Sequence, residues 1–246
     1  MTFSAILLPR LAYGDMLEDA FTIALPSLFL MMAIFVLNDF NDRDKDAVNS
    51  PKRPIPSMLV SDNSAILLYF TLLFASMASI LYIDSSFVKC IYFSFAIIGL
   101  NYDHANRQFP AIKNLYVACC FQLLTMLVVF DNPNVPRSIL LCAAIFIHRL
   151  GIEMSMDIVD MKGDGRTIAN IIGASNAVIA STALRLASAI AMIAAITTQA
   201  GAIIVALIFL CEALIFRLWR AEGYRRSAIL VMKGEIALGV AFLSFA

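Results

Sequence analysis

The sequence predicts an all-α integral membrane protein, a bundle of about nine helices with a short first one. Three observations carry this expectation. The chain has 246 residues of which 61% are hydrophobic, more apolar surface than the interior of a soluble domain this size can hold. Its mean hydropathy is +0.84. Charged residues make up only 15% and cluster between apolar runs, and a net charge of zero leaves nothing to attract nucleic acid.

A bilayer-crossing helix needs roughly 20 mainly apolar residues. Residues 3–13 are too few to cross, so this segment is expected to lie at the interface or to enter only halfway. Residues 17–40 are long enough and end in an acidic cluster. Residues 61–83 and 86–101 form the third and fourth helices, and 112–130 the fifth. Residues 136–161 form the sixth and end in a second acidic cluster. Residues 168–197, 199–219 and 226–245 complete a single domain, 1–246. No basic region precedes residues 3–8 and no lipidation motif occupies 243–246, so neither a cleaved leader nor a lipid anchor is expected. Five cysteines lie inside apolar runs without a C-x-x-C pair, as small packing residues do.

The loops are asymmetric. Those after the second, fourth, sixth and eighth helices hold Arg43, Lys45, Lys52, Arg53, Arg107, Lys113, Lys162, Arg166, Arg217, Arg220, Arg225 and Arg226. The opposite loops hold Arg10, Lys89 and Arg137. Twelve against three is a positive-inside pattern, and it puts both acidic clusters on the cytoplasmic side.

Those clusters share one spacing. Asp39, Asp42 and Asp46 follow an i, i+3, i+7 pattern, and Asp157, Asp160 and Asp164 repeat it 118 positions later. On one continuous helix such a triad falls within about 60° of arc. Asn38 extends the first stripe, and Arg149 and Glu153 extend the second as an i, i+4 pair inside the bilayer. Six carboxylates beside an apolar core are costly unless cations neutralise them. Divalent ions holding a polyphosphate suit such a set, because Mg²⁺ takes hard oxygen ligands.

The segment Asn38-Asp39-x-x-Asp42-x-x-x-Asp46, with its tail Asn49-x-x-x-Arg53-Pro54-Ile55-Pro56-Ser57, resembles the first signature of UbiA-type intramembrane prenyltransferases. Asp157-x-x-Asp160-x-x-Gly163-Asp164 resembles the second, and residues 108–114 resemble the segment between the fourth and fifth helices. The resemblance implies a helical bundle around a cavity open sideways to lipid. It implies two Mg²⁺ ions bridging the diphosphate of an isoprenyl donor. Asn38, Asp42 and Asp46 would serve the first ion, with Asp39 beside them. Asp160 and Asp164 would serve the second, with Asp157 adjacent. Asp42, Asp46, Asp160 and Asp164 carry the catalytic role. Arg53, Tyr102, Arg166 and the loop cations Arg107 or Lys113 would contact diphosphate. Loss of diphosphate leaves an allylic cation, which a hydrophobic acceptor, aromatic or lipid-like, attacks in a dry pocket.

The chain departs from the family pattern at Met156, where a lysine is common, and at Met58, where a glycine often follows the Arg-Pro element. A terpene cyclase of the same family would share these motifs, trapping the cation with an internal double bond. A transporter would carry its carboxylates at the midplane, whereas these lie at helix ends. His104 could serve as a base in the active-side loop, and His148 reads as a packed histidine. Arg185, Glu212, Lys233 and Glu235 interrupt later helices, where such residues face the bundle interior or pair.

Overall fold

A computed structural model of the chain describes residues 2–49, 51–104, 112–129, 135–161, 167–196, 198–220 and 225–245. Among these, eleven helices appear: α1 (Thr2–Ala12), α2 (Leu17–Asn41), α3 (Arg43–Asn49), α4 (Asp62–Leu81), α5 (Ser86–Leu100), α6 (Lys113–Val129), α7 (Val135–Asp160), α8 (Ile168–Ile172), α9 (Ala174–Ala194), α10 (Gln199–Arg220) and α11 (Arg225–Phe245). Each expected segment contains helix, but the count is eleven rather than nine, because a short helix follows the second segment and the seventh is interrupted. The second segment stops at Asn41, and Asp42 (φ −92°, ψ 3°) separates it from α3. The seventh breaks at Gly173, whose φ of +84° lies in the left-handed region that glycine adopts readily.

Among the described residues, five helices are long and apolar enough to cross a membrane: α2, α4, α7, α9 and α10. No more than 39% of any such span is buried within the protein. Large side chains such as Phe35, Phe74, Ile190, Ile203 and Leu210 stand exposed along them. Apolar surface on that scale is stable only against lipid, where helices also satisfy their own backbone groups. The chain is therefore an integral, multi-pass membrane protein.

The helices form a closed ring. α2 packs on α4 and α5, α5 on α6, α6 on α7, α7 on α9, α9 on α10 and α10 on α11. α1 closes it by touching α2, α6 and α11. It is thus built into the bundle, with Ile6 fully buried. At 1.5 Å per residue its 11 residues cover about 16 Å, roughly half a hydrocarbon core.

Buried polar groups tie the ring together. Pro26 inside α2 removes a backbone donor. Around it, the Tyr92 hydroxyl donates to the Ile23 carbonyl (2.5 Å) and the Ser76 hydroxyl to the Pro26 carbonyl (3.0 Å). Gly151 lets α7 and α9 approach closely, since a Cβ there would lie 2.7 Å from Arg185 Cγ and 2.9 Å from the Ser181 carbonyl oxygen. Arg10 joins α1 to the end of α6, donating to the Leu127 carbonyl (2.9 Å) and pairing with Asp15 (2.5 Å). Arg137 does the same for α7 and α9 through the Ala195 carbonyl (3.3 Å).

Residues 51–61 bring the chain back to α4. Ile55 is buried and anchors this loop. Backbone bonds from Ser57 to Arg53 and from Val60 to Pro54 (both 3.0 Å) hold its turn. Met58 occupies the left-handed region at φ +60° with its side chain exposed. A non-glycine residue there carries a steric penalty of about 1 kcal/mol or more. Met58→Gly is expected to stabilise the fold by about 0.5–1 kcal/mol once glycine's greater unfolded freedom is discounted. Thermal unfolding in detergent measures this, and an unchanged or lower midpoint would contradict it.

Candidate active site

The first acidic cluster sits where α2 gives way to α3. The backbone N–H of Asp42 still reaches the Asn38 carbonyl (2.9 Å), and that of Asp46 the Asp42 carbonyl (2.8 Å). The helical bond pattern therefore carries across the break, although the three aspartates do not share one continuous helix. Asp39 and Asp46 converge on one atom: Arg53 Nη1 lies 3.0 Å from Asp39 Oδ1 and 2.6 Å from Asp46 Oδ2. Asp46 is buried, whereas Asn38, Asp39 and Asp42 are partly exposed. Arg43 points elsewhere, stacking over the Phe40 ring at 4.5 Å and pairing with Asp62 at 3.6 Å.

The second cluster closes α7. Asp157 is 1% exposed. Its Oδ1 lies 2.9 Å from Lys113 Nζ, and its Oδ2 accepts from Asn114 Nδ2 at 2.7 Å. In this structure Lys113 and Asp157 are engaged with each other, which joins the start of α6 to the end of α7. Helix α7 ends at Asp160, and Asp164, Arg107 and Arg166 lie outside the described residues. One tier above the acidic end, Arg149 pairs with Glu153 as its spacing predicts, with the guanidinium 3.8 Å over the Phe121 ring.

Tyr102 lies just past α5, its ring 6.1 Å from that of Tyr116. Tyr116 in turn donates to the Ile98 carbonyl (2.5 Å), binding α6 to α5. The C-terminal ends of α2, α5 and α7 and the start of α6 thus share one end of the bundle, through neighbours in the ring. His104 is exposed there. Asn114 escaped the sequence reading, although it stands in the segment noted at 108–114. Its partner is 43 positions away, and no local pattern signals that contact.

A metal ion fits the first cluster on its geometry. Two carboxylate oxygens already converge on one cationic atom, and the set is all-oxygen, as Mg²⁺ prefers. At the second cluster the described donor, Asp157, has a lysine and an amide on it.

A different group of charges lies within the bundle. Arg185 of α9 donates to Glu212 of α10 from Nε (2.5 Å) and Nη2 (3.1 Å), and its Nη1 reaches Ser155 Oγ and the Gly151 carbonyl. Glu235 of α11 lies 3.9 Å from Arg185 and 3.2 Å from His148 Nε2. His148, Glu212 and Glu235 offer ligand atoms within 4.8 Å of one another. Charge decides how to read them. One guanidinium and two carboxylates leave a single negative charge, which one proton on the His148–Glu235 pair cancels. A divalent ion would overshoot to positive and compete with Arg185 for Glu212. The group is therefore a structural knot of four helices, not a metal centre.

Comparison with known proteins agrees with this architecture. The model of the UbiA prenyltransferase family matches residues 5–243. Digeranylgeranylglyceryl phosphate synthase of Methanobrevibacter smithii is 28% identical over 158 residues, covering 58% of this chain and 56% of that protein. The chain thus spans about half the length of that curated relative. The apo structure of a UbiA homologue from Aeropyrum pernix K1 superposes with a TM-score of 0.73 at 21% identity, covering 96% of each chain. A UbiA homologue from Archaeoglobus fulgidus bound to GPP and Mg²⁺ gives 0.70 at 20%, covering 98% of this chain and 96% of that one. The chain belongs to the UbiA prenyltransferase family.

Removing one side of a buried ion pair strands the other, at about 3–5 kcal/mol. Arg185→Met should therefore destabilise the protein by that amount or prevent folding. Glu235→Gln, which leaves one guanidinium facing one carboxylate with no proton needed, should cost about 1 kcal/mol or less. Paired unfolding curves in detergent check this, and equal losses in the two variants would refute the charge count.

Proposed function

We propose that this UbiA-family enzyme is a Mg²⁺-dependent prenyltransferase that moves an isoprenyl group from its diphosphate to a hydrophobic acceptor, with its active end facing the cytoplasm. The observation that carries the reading is the convergence of Asp39 and Asp46 on Arg53 at the end of an apolar helix. The acceptor is aromatic or lipid-like, and the resemblance to a digeranylgeranylglyceryl phosphate synthase favours the lipid-like class. The basic loops at the acidic end support the orientation.

Asn38, Asp39, Asp42 and Asp46 are proposed to hold one Mg²⁺, and Asp157, Asp160 and Asp164 the second. Bound there, the ions would offset charge developing on the departing diphosphate. Arg53 already lies between two carboxylates with its side chain 45% exposed. When a cation takes those carboxylates, its guanidinium is released toward phosphate oxygens, which it matches as a bidentate donor. Lys113, Arg107 and Arg166 add charge to the same anion, and Tyr102 a phenolic donor. The apolar walls below the clusters shield the allylic cation from water until the acceptor attacks.

The test is diphosphate release from labelled prenyl diphosphates by purified protein with candidate acceptors. Release should require Mg²⁺ and fall at least 100-fold in Asp42→Ala or Asp46→Ala, with the thermal midpoint retained. Metal-independent release, or full activity in either variant, would overturn the assignment.

A further inference from the structure

The turn that leads into α4 presents two of the three most exposed large apolar side chains among the described residues. Met58 is 84% exposed and Leu59 79%. Neither belongs to a loose segment. The backbone N–H of Ser57 donates to the Arg53 carbonyl, that of Met58 to the Ile55 carbonyl and that of Val60 to the Pro54 carbonyl, each at 3.0 Å. Buried Ile55 fastens the turn to the bundle, and Pro54 and Pro56 fix two more backbone angles. The result is a rigid mount with two apolar residues at its tip.

Met58 is held at φ +60°. Glycine takes that angle without the clash a Cβ brings. A methionine can offset the strain only through its side chain, and that side chain touches little of its own protein. Its partner lies outside the chain.

The position of the turn identifies that partner. Residues 58–60 precede Ser61, whose hydroxyl caps α4 by accepting from the Ser64 N–H. The 20 residues of α4 cover about 30 Å, the thickness of a hydrocarbon core. The start of α4 therefore lies at a membrane boundary, and three residues of chain carry Met58 no more than about 10 Å from it. Helix α4 packs chiefly on α2 and is the least buried of the five spanning helices, at 22%. Leu67, Phe70, Phe74 and Leu81 share about 60° of arc on it, and all are exposed. Lipid thus surrounds the helix that the turn feeds. Tyr82, exposed at the far end of α4, marks the opposite boundary, where tyrosine is favoured. Lys52, exposed at the base of the turn, supplies a cation at head-group level.

We propose that the 53–60 turn is an interfacial anchor. Met58 and Leu59 insert between head groups and acyl chains of the leaflet at the acidic end, and Lys52 rests on lipid phosphate. Apolar burial there offsets the strain at Met58. The turn also carries Arg53, so its seat in lipid fixes the height of that guanidinium beside Asp39 and Asp46. The inference needs only the membrane-spanning fold and stands apart from the prenyl-transfer reading.

The chain has one tryptophan, Trp219. A Trp219→Phe background carrying Met58→Trp or Leu59→Trp therefore places a single emitter at the tip. Each protein is reconstituted into phosphatidylcholine–phosphatidylglycerol nanodiscs whose acyl chains are plain or brominated near the head group. Brominated lipid should quench both reporters at least about twofold, and aqueous iodide should quench them at least about threefold less than free N-acetyltryptophanamide. Strong iodide quenching without quenching by brominated lipid would place the tip in water and overturn the proposal. Protection from both would show that protein covers the tip, a second copy or another partner, and would overturn it equally. A second measurement follows hydrogen exchange of the Ser57, Met58 and Val60 amides in nanodiscs. Met58→Asp keeps a residue that tolerates the left-handed region but removes the apolar contact, and should speed exchange at least about fivefold. Unchanged exchange would show that lipid does not hold the turn.

Discussion

Five carboxylates are buried among the described residues, and each has a basic nitrogen within 3.2 Å: Asp46 with Arg53, Glu153 with Arg149, Asp157 with Lys113, Glu212 with Arg185, and Glu235 with His148. A buried ion without a partner costs several kcal/mol, comparable to the net stability of a domain. That constraint fixes more than charge. Each pair joins two segments, or two turns of one helix, at one rotation and one height. Hydrophobic matching alone is tolerant of sliding, because lipid-facing and core-facing residues are equally apolar. The ion pairs set the register.

Helix α7 shows the consequence. It carries His148, Arg149, Glu153 and Asp157 in consecutive turns, and these connect it to α11, to the Phe121 ring of α6 and to Lys113 at the head of α6. A slip of one residue would turn α7 by about 100° and break these contacts together. The acidic end and the buried charged group of α7, α9, α10 and α11 are therefore held in one fixed relation along a single rod.

What the sequence revealed follows the range of the interactions. The Arg149–Glu153 pair was legible because its members are four residues apart on one helix. The nine apolar segments were legible because a bilayer fixes their length, and the two aspartate clusters because each is a local run. The Lys113–Asp157 and His148–Glu235 pairs were not, since 44 and 87 positions separate their members. Nor were Arg185 and Glu212, which were recognisable only as charges that must pair. The break at Asp42 escaped too. An i, i+3, i+7 pattern reads as one continuous helix, whereas the chain leaves α2 there to begin α3. That turn brings residues 51–61 back and places Arg53 on Asp39 and Asp46.

The two ends of the bundle use arginine differently, and the difference locates the chemistry. Arg10 is buried and bonds a helix-terminal carbonyl, and Arg137 bonds another. Such bonds cap a helix and favour its dipole, and nothing is gained by breaking them. Arg53 instead lies between two carboxylates with nearly half its side chain in contact with solvent. Its contact with Asp39, exposed on both sides, contributes little to stability, because water competes for both partners. It is held loosely enough for another cation to replace it and for its guanidinium to turn to an anion. At the opposite end Arg10 and Arg137 are tied to backbone carbonyls, Arg10 with a single carboxylate, Asp15, beside it. Exchange is favoured where two carboxylates converge on one half-exposed guanidinium, and that condition is met at the junction of α2 and α3.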